Sequence, residues 1–529
     1  MGRMVSHKLR FGIACRTRHL AAWQAQAARH LLDEGVAELA LVILDESAGE
    51  AAGSFLWRWF LRVCRPRSMH VEDLAAVCGD ATVTRSADVA KIRANDLDFI
   101  LGFASGADRT AIASCARYGV WTIEYGNQGN PAGPPCFWEI SRGEPTIFAS
   151  LTRSTEVDGT SVALREGHLK IDDYLYSRSA DRLCFEVANW PAYAAGEIAR
   201  GVATSSNAAR NDARRAYRAP SGAATLRFFW IVARNVLRRL FERRLSEEWN
   251  IGITRVRPAE LLDGVKIRDV RWLPAISGGW AADPMAWRSN GKVHVLCEEM
   301  RLSSGKGRIS ATTFDGSSWG ALGSVIEPPT HASYPFLFEH RGDIYCVPET
   351  FEAREIALYR ARDFPTKWER VATLMSGIAA IDATLFEHDG LFWLFCTTSA
   401  NSNGALLAFF ARDVLGPWQP HAANPVKIDV RGSRPAGAPF RVDGQLYRPA
   451  QDSSKTYGGR VVIHRVVALT PAEFREEPCI FVEPQQGTRY AGGLHTLSFA
   501  GEYCIIDGKR WVRRASEGPS GLASWDFGK

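Results

Sequence analysis

The sequence predicts a multidomain protein, with an N-terminal α/β domain on a parallel sheet and a C-terminal all-β domain, a five-bladed β-propeller. Two observations predict this division. Strand-like and helix-like runs alternate in the first part of the chain, and one short hairpin turn recurs five times in the second part. The predicted boundaries are 1–203 for the α/β domain, 204–246 for an arginine-rich linker with a helix, and 247–529 for the propeller.

The N-terminal part reads as a sheet whose strands are separated by helices. Apolar runs predict strands at Leu9–Cys15, Leu39–Leu44 and Leu97–Phe103, and apolar residues at helical spacing predict a helix over Ala21–Asp33. Strands that alternate with helices are typical of a parallel sheet with crossover connections. This pattern predicts a Rossmann-like α/β domain.

The second half is organised by a repeated hairpin. X-Gly pairs between two apolar, β-rich runs are a strong hairpin signal. They recur at intervals of about 50 residues, a period typical of one four-stranded propeller blade. The five turns are Asn290-Gly291, Arg341-Gly342, Asp389-Gly390, Asp443-Gly444 and Ala500-Gly501.

Polar residues recur at similar offsets from these turns, where the inner strands of blades approach a central channel. Such residues are either ordinary solvated positions or parts of one shared site, and their repetition favours a site. The members before the turns are Asp283, Tyr334, Asp382 and His495, and those after them are Glu298, Glu349, Asp452 and Asp507.

Composition sets the outer limits. The chain has 529 residues, 46% of them hydrophobic, which indicates globular domains with sizeable cores. Its 11 cysteines include no Cys-x-x-Cys pair, and this favours a reducing compartment and predicts no metal site. Neither an export signal nor a long apolar segment is evident, so the expected location is cytoplasmic, in contact at most with the inner membrane surface.

The stretch between the two parts is basic. Residues 205–250 carry ten arginines against four acids, and apolar residues recur there at helical spacing. A basic amphipathic helix over 226–245 is suited to peripheral contact with an anionic membrane. The alternative is a helix whose apolar stripe docks on one of the domains, and no nucleic-acid partner is expected because the blades show no basic patch interleaved with aromatic residues.

Residues 96–168 resemble the formyltransferase family that acts on methionyl-tRNA and on amino sugars. The resemblance lies in the order of Asp98–Gly102, Tyr118–Gly126, the loop Asn130–Pro135 and Phe137–Ile140. Its catalytic Asn-x-His pair is not retained. Matching by position places Thr122 and Glu124 there, with Asp158 near the acidic position, so the resemblance implies a degenerate formyltransferase site.

The propeller half resembles the N-terminal domain of plant glucosamine inositolphosphorylceramide transferases and, more distantly, family 43-type glycosidases. The resemblance implies a five-bladed fold and a carbohydrate substrate. The motifs that carry it include Trp280–Pro284, Ser333–Phe336, Val347–Thr350, Ile381–Ala383, Gly416–Trp418, Asn424–Val426, Arg434–Gly437, Gln451-Asp452, Tyr457-Gly458 and Gly493–His495.

The related glycosidases arrange three carboxylates around the channel, and the resemblance transfers these roles to this chain. It implies Asp283 as the base-like residue, Glu349 as the general acid and Asp382 as the carboxylate that orients the acid. The residues expected to bind the substrate are Glu298, Tyr334, Arg434, Asp452 and His495.

Three functions remain open at this point. The first is a sugar-processing enzyme of surface polysaccharide or glycolipid biosynthesis, for glycosyl transfer or hydrolysis, with its site in the channel and a nucleotide sugar as a candidate co-substrate. The second is a divergent N-formyltransferase for an amino sugar, with 10-formyltetrahydrofolate as donor. The third is a carbohydrate-binding scaffold without catalysis, whose partner is a sugar or glycan.

Overall fold

The computed structural model describes residues 8–45, 53–79, 81–103, 112–128, 130, 132–154, 161–202, 209–210 and 218–513. The chain divides into two compact units, Met1–Leu240 and Phe241–Lys529.

Unit 1 contains a mixed sheet in the order β9-β8-β7-β6-β1-β3-β5. The predicted strands agree with β1, β3 and β6 to within two residues at their starts, and these strands pair in parallel as expected. The last two pairings, β7 with β8 and β8 with β9, are antiparallel, so the sheet is not parallel throughout. The strands are β1 (Leu9–Cys15), β2 (His19–Ala21), β3 (Ala37–Leu44), β4 (Val71–Asp73), β5 (Val83–Arg85), β6 (Phe99–Gly102), β7 (Val120–Tyr125), β8 (Thr146–Ser154), β9 (Ser161–Lys170) and β10 (Ala209–Arg210).

Helices flank this sheet, and the long one near residue 230 belongs to unit 1 for most of its length. None of the helices in the described ranges is long and apolar enough to cross a membrane. The helices are α1 (Ala22–Asp33), α2 (Phe55–Cys64), α3 (Leu74–Cys78), α4 (Val89–Arg93), α5 (Phe137–Arg142), α6 (Tyr176–Val187), α7 (Trp190–Ala199), α8 (Gly222–Glu242) and, in unit 2, α9 (Pro258–Leu262).

Unit 2 is all-β apart from α9 and short 3-10 turns, and has a β-propeller-like architecture of antiparallel sheets. Its strands are β11 (Leu245–Arg255), β12 (Arg271–Trp272), β13 (Gly279–Ser289), β14 (Lys292–Arg301), β15 (Lys306–Phe314), β16 (Gly323–Ile326), β17 (Ser333–His340), β18 (Asp343–Glu349), β19 (Glu355–Asp363), β20 (Lys367–Ser376), β21 (Ala380–His388), β22 (Leu391–Thr398), β23 (Ala405–Ala411), β24 (Gln419–Pro420), β25 (Lys427–Asp429), β26 (Phe440–Val442), β27 (Gln445–Asp452), β28 (Arg460–Leu469), β29 (Phe474–Val482), β30 (Leu497–Ala500) and β31 (Tyr503–Arg513).

All five sequence turns are two-residue hairpins. In the first four, both turn residues have positive φ, as in Asn290 (50°) and Gly291 (73°), which gives the turn the twist of the flanking strands. The fifth differs by one residue. Ala500 pairs with Tyr503, so its turn is Gly501-Glu502 rather than Ala500-Gly501.

One sheet is assembled from both ends of unit 2, in the order β12-β11-β31-β30. Strand β11 pairs with β31 from Leu245–Arg513 to Arg255–Tyr503, eleven residue pairs in all. The first and last long strands among the described residues of unit 2 thus lie side by side, and each covers one edge of the other.

The predicted count of five blades is wrong: four separate four-stranded sheets are present among the described residues. The strands of unit 2 outside these four sheets are β21 to β25. Strands β21, β22 and β23 pair in order, but the outer edge of β23 is paired only with two short strands, β24 and β25. Pro417, Pro420 and Pro425 lie in this stretch and have no N–H for a sheet ladder. The outer strand is therefore interrupted.

Hydrophobic clusters fill the space between neighbouring sheets of unit 2. Four cysteines of its second strands are fully buried and without disulfides, and burial raises the pKa of Cys396 and of Cys504 to about 12. These cysteines act as small core residues; the other two are Cys297 and Cys346.

Candidate functional site

The first structural feature of the site is a repeated kink in three inner strands. Asp283 in β13, Tyr334 in β17 and Asp382 in β21 have φ values of 52°, 41° and 52°, which non-glycine residues rarely adopt. Each lies in a bulge, where two residues oppose one on the neighbouring strand. Strained backbone of this kind is held only where the surroundings fix it, and it often re-aims side chains at functional sites.

Asp382 lies at the centre of one half of the site and is 1% exposed. Its Oδ2 accepts hydrogen bonds from Arg434 Nε at 2.6 Å and from Gln451 Nε2 at 3.0 Å. Its backbone N–H donates to Glu349 Oε2 at 2.9 Å. The kink at Asp382 therefore turns a backbone donor toward Glu349 and its carboxylate toward Arg434.

The other half of the site is built around Asp283. Its Oδ1 accepts a hydrogen bond from Thr496 Oγ1 at 2.7 Å and lies 3.3 Å from His495 Nε2. The opposite ring nitrogen of His495, Nδ1, lies 2.5 Å from Asp507 Oδ2. His495 is thus held between two carboxylates, and Asp507 is anchored by the backbone N–H groups of His495, Thr496 and Asp283.

Burial and crowding of carboxylates raise several pKa values in this cluster. Burial raises the pKa of Asp283 to about 6, with Asp382 and Asp507 adding to the rise and His495 opposing it. Burial, the Asp382 carboxylate and a smaller opposing effect of Arg434 leave the pKa of Glu349 well above its usual range. The pKa of Glu298 is also raised well above its usual range, by burial and by Asp283, Glu349 and Asp382.

The pKa of His495 is also raised, but by a different cause. Burial alone would lower its pKa, but the carboxylates of Asp507 and Asp283 outweigh this and raise it. The cluster therefore combines two carboxyl groups, Glu349 and Asp283, whose pKa values are raised by different neighbours, with a histidine whose pKa is also raised, which favours its cationic form. Carboxyl groups with unequal pKa values can divide acid and base roles.

Asp283, His495 and Asp507 also meet the geometric requirement for a metal ion, because one ligand atom from each lies within 4.8 Å of the others. These three side chains already interact with one another, however, and the Asp507 carboxylate accepts hydrogen bonds from three backbone N–H groups in addition. A hydrogen-bonded carboxylate–histidine–carboxylate triad accounts for the arrangement without a metal.

The remaining predicted residues fall in different places. The Glu298 carboxyl lies beside His331, with Oε1 3.5 Å from Nε2. Its pKa is raised by the carboxylates of the cluster, so it is close enough to interact with them. The Tyr334 hydroxyl is fully buried, 2.9 Å from Thr384 Oγ1 and accepting from the Gly437 N–H at 2.8 Å. Asp452 binds Arg460 Nε at 2.8 Å instead of a cluster member, because its side chain alternates with that of Gln451 along β27.

Sequence reasoning missed several residues of the site. Gln451 is fully buried beside Asp382, and its Oε1 has no hydrogen-bond partner among the described residues. Trp249 and Tyr457 pack on His495 with ring centroids 4.1 and 5.3 Å away, and the Arg434 guanidinium lies 5.1 Å above Tyr457. Gln451 could have been found from the sequence by counting the alternation of side chains along the strand that follows the Asp443-Gly444 turn. Trp249 lies outside the five repeats, so no such count would have found it.

Two surface cavities of unit 2 lie away from the acids. A cavity of about 420 Å³ is lined by Trp272, Tyr490, Asn250, Gln485 and Arg489, among others. A second, of about 310 Å³, lies next to Leu391 and Phe410. Neither is lined by Asp283, Glu349 or Asp382, which are 1–4% exposed.

The positions matched to the formyltransferase site lie in unit 1. Thr122 is buried in β7, Glu124 is exposed two residues later, and Asp158 is outside the described residues. A degenerate formyltransferase site at these residues stays a prediction.

Residues 274–496 match the family model described as "Glucosamine inositolphosphorylceramide transferase 1, N-terminal". This stretch is similar to part of a transferase. A glucosamine inositolphosphorylceramide transferase 1 from Oryza sativa subsp. japonica is 32% identical over 248 residues, which are 44% of this chain and 33% of that protein. The relative of that name from Arabidopsis thaliana is 32% identical over 252 residues, with the same coverage. The chain spans about a third of the length of these relatives. The three predicted catalytic residues and the five predicted substrate-binding residues lie in the matched stretch, whereas Asp507 lies beyond it.

Solved structures with a similar chain path include a family 117 glycoside hydrolase from Zobellia galactanivorans, at 14% identity and a TM-score of 0.33, over 50% of this chain and 90% of that one. Another is the catalytic domain of a family 62 α-L-arabinofuranosidase from Coprinopsis cinerea, at 13% identity and a TM-score of 0.32, over 43% and 90% of the two chains.

Proposed function

We propose that this protein processes a carbohydrate, by glycosyl transfer or hydrolysis, with the acid cluster of unit 2 as its site. The observation that carries the proposal is that Glu349 and Asp283 lie in one buried cluster and both interact with Asp382 and Glu298, while the pKa of Glu349 is raised well above its usual range and that of Asp283 to about 6. Cleavage of a glycosidic bond needs one carboxylic acid to protonate the leaving oxygen and one carboxylate to act as base or nucleophile. The similarity of residues 274–496 to a sugar transferase family supports the same substrate class.

The roles follow from the contacts. Glu349 donates its proton to the leaving oxygen, while the Asp382 N–H fixes the position of Oε2. Asp283, held by Thr496 and facing His495, accepts a proton from the attacking hydroxyl or water, or attacks the anomeric carbon itself. The unpartnered Oε1 of Gln451 is available, within the described part of the chain, to accept a hydrogen bond from a sugar hydroxyl.

A proton donor of this kind favours some leaving groups over others. A sugar hydroxyl is a poor leaving group and requires protonation, whereas a nucleoside diphosphate leaves as an anion and gains little from an acid. The geometry therefore favours a glycan or glycolipid with a glycosidic bond as donor over a nucleotide sugar. We place such a substrate in surface polysaccharide or glycolipid metabolism at the cytoplasmic side of a membrane.

The test of this function is the substitution Glu349→Gln, assayed on a panel of oligosaccharides, aryl glycosides and nucleotide sugars. The amide keeps the oxygen that accepts the Asp382 N–H but has no acidic proton, so we expect turnover to fall by about 10²- to 10⁴-fold. The melting temperature should stay the same or rise, because a buried acid is removed. Full activity of this variant would contradict the proposal.

The alternative with a specific observation behind it is a carbohydrate-binding protein without catalysis. The acids are closed off from both cavities described above, while the larger cavity has an aromatic pair, Trp272 and Tyr490, with ring centroids 4.5 Å apart. Aromatic walls with a few polar groups are typical of small-ligand sites. If Trp272→Ala abolishes a sugar-induced rise in melting temperature and Glu349→Gln leaves it intact, this alternative replaces the first.

A further inference from the structure

Two helices of unit 1 expose apolar residues in a way that the sugar chemistry does not explain. Helix α2 exposes Phe55, Trp59 and Val63, spaced four residues apart, with 72%, 51% and 61% of their surfaces accessible. Helix α8 exposes Leu226, Trp230, Val236, Leu237, Leu240 and Phe241. These nine are almost half of the nineteen exposed large hydrophobic residues in the described parts of the chain, yet they lie in two helices. Clusters of this kind mark interaction surfaces.

The exposed apolar residues of α8 lie on the side of the helix opposite to its buried face. Thr225, Phe228, Ile231 and Asn235 form the buried face of the helix, and Leu226, Trp230 and Leu237 recur at helical spacing on the opposite side. The buried face is fixed to unit 1 by Phe228, whose ring packs on Phe137 at 4.8 Å. Helix α8 therefore packs on unit 1 through one face, while five residues of the predicted apolar stripe are exposed, namely Leu226, Trp230, Leu237, Leu240 and Phe241.

Helices α2 and α8 lie side by side. The Ser54 and Thr225 hydroxyls at their N-termini are 3.3 Å apart, and the rings of Phe60 and Phe229 are 5.1 Å apart. Trp57 faces inward and packs on Phe228. The two apolar stripes therefore lie on adjacent helices, and we call them together the two-helix surface (the exposed residues of Phe55–Cys64 and Gly222–Glu242).

Charge decides what this surface binds. The two helices contain six arginines and one acid, Glu242. Arg234 stacks over the ring of Trp230 at 5.3 Å, so this basic side chain borders the apolar stripe. Arg238 is instead paired with Asp173 at 2.7 Å. The other arginines of the two helices are Arg58, Arg62, Arg227 and Arg239.

We infer that the two-helix surface docks on an anionic lipid bilayer. Amphipathic helices with aromatic and leucine residues on one side and arginines beside them lie in the headgroup region of such membranes. A second copy of the chain would place two strongly basic surfaces face to face, which like-charge repulsion opposes. A membrane supplies both the apolar layer and the negative charge. The inference is independent of the chemistry in unit 2.

The test is flotation of the full chain with phosphatidylcholine vesicles, with and without phosphatidylserine. We expect flotation with the anionic vesicles only, and weaker flotation at higher salt. Leu226→Glu should reduce binding at least tenfold, and Leu415→Glu should not, although Leu226 and Leu415 are both 58% exposed. Arg227→Gln and Arg234→Gln should each weaken binding about fivefold.

Several results would overturn the inference. They are equal flotation with both vesicle types, no flotation at all, or the same loss in Leu226→Glu and Leu415→Glu. Flotation without charge selectivity together with a dimer that Trp230→Glu disrupts in light scattering would assign the surface to a second copy. Because neither leucine contacts the acid cluster, turnover of a soluble substrate should be unchanged in both variants, which separates this test from that of the proposed function.

Discussion

At the scale of single residues, the carboxyl groups of the site differ in pKa because they have different neighbouring side chains. Glu349 and Asp283 are both carboxylic acids and both buried, yet one faces mainly another carboxylate and the other faces a histidine and a hydroxyl. Opposite charges and hydrogen bonds to the ionised form keep a pKa down, and like charges push it up. Position within the cluster, rather than residue type, separates acid from base.

This separation predicts a pH dependence. Activity requires ionised Asp283, whose pKa is about 6, so kcat/KM should rise as pH increases through about 6. His495 lowers the pKa of Asp283, and His495→Gln removes that effect. The rising limb of the pH profile of His495→Gln should therefore move to higher pH, while that of His388→Gln, a substitution in the β21–β22 hairpin, should not. An unshifted limb in His495→Gln would contradict the assignment of Asp283 as base.

The sequence could identify the acids but not all their partners. Asp283, Glu349 and Asp382 recur at matched offsets from the hairpin turns, and the structure brings them into one electrostatic cluster. Gln451 and Asp452 are adjacent, and only the register of β27 decides which of them faces the cluster. The sequence analysis chose Asp452 because it is acidic, but the side chain beside Asp382 is the neutral amide of Gln451.

At the scale of elements, the inner strands are held at their bulges by contacts between neighbouring sheets. Tyr334 in the bulge of β17 reaches Thr384 in β21 and the backbone of Gly437. Gly437 has a φ of 122°, and a Cβ there would lie 1.8 Å from the Leu497 carbonyl oxygen. The close approach of these segments therefore requires glycine.

A comparison of two glycine substitutions tests this packing. Gly437→Ala would place a methyl group on a backbone oxygen that cannot yield without moving β30, so we expect a loss of several kcal/mol, about 3 or more, in the free energy of unfolding. Gly444→Ala is the control, because Gly444 also has a positive φ, 79°, but nothing lies within 4 Å of the added Cβ. Its cost should be about 1 kcal/mol. Equal costs in urea unfolding would show that backbone strain, not the close approach, fixes Gly437.

At this same scale, hairpins were easier to predict than sheets. A two-residue turn is a local property of a glycine-containing pair between two strands, and all five hairpins form. The outermost strand of a blade depends on the long-range pairing of a few residues, as β24 and β25 illustrate. The prolines in this stretch interrupt the ladder of hydrogen bonds. The spacing of the hairpin turns does not reveal such an interruption.

At the scale of the whole molecule, five hydrophobic clusters of the described residues each lie within one of the two units. Four hydrophobic clusters consist only of residues after 248, and another consists only of residues before 121. The boundary at Leu240–Phe241 falls within α8, so the helix predicted as part of a linker belongs mostly to unit 1. Sequence composition found the basic helix but not the residues on which it packs.

The separation of these clusters predicts that unit 2 folds by itself. A chain of residues 243–529 should unfold cooperatively, since its core clusters need no residue from unit 1. A matched chain of residues 257–529 lacks β11, leaves β31 without its eleven-residue partner and should not fold. Circular dichroism and urea unfolding of both chains measure this. Equal stability of the two would contradict the closing role of β11.

The central claim, that the acid cluster is a catalytic site, is tested most directly by comparing turnover and melting temperature in Glu349→Gln and Glu299→Gln. Glu299 is also buried, 1% exposed, but its carboxylate pairs with Arg301 at 2.6 Å and Arg308 at 3.2 Å, outside the cluster. We predict opposite outcomes: Glu349→Gln keeps its melting temperature and loses turnover, whereas Glu299→Gln melts earlier and keeps turnover when folded. Retained turnover in Glu349→Gln would show that the cluster is a structural network and that the chemistry, if any, lies elsewhere.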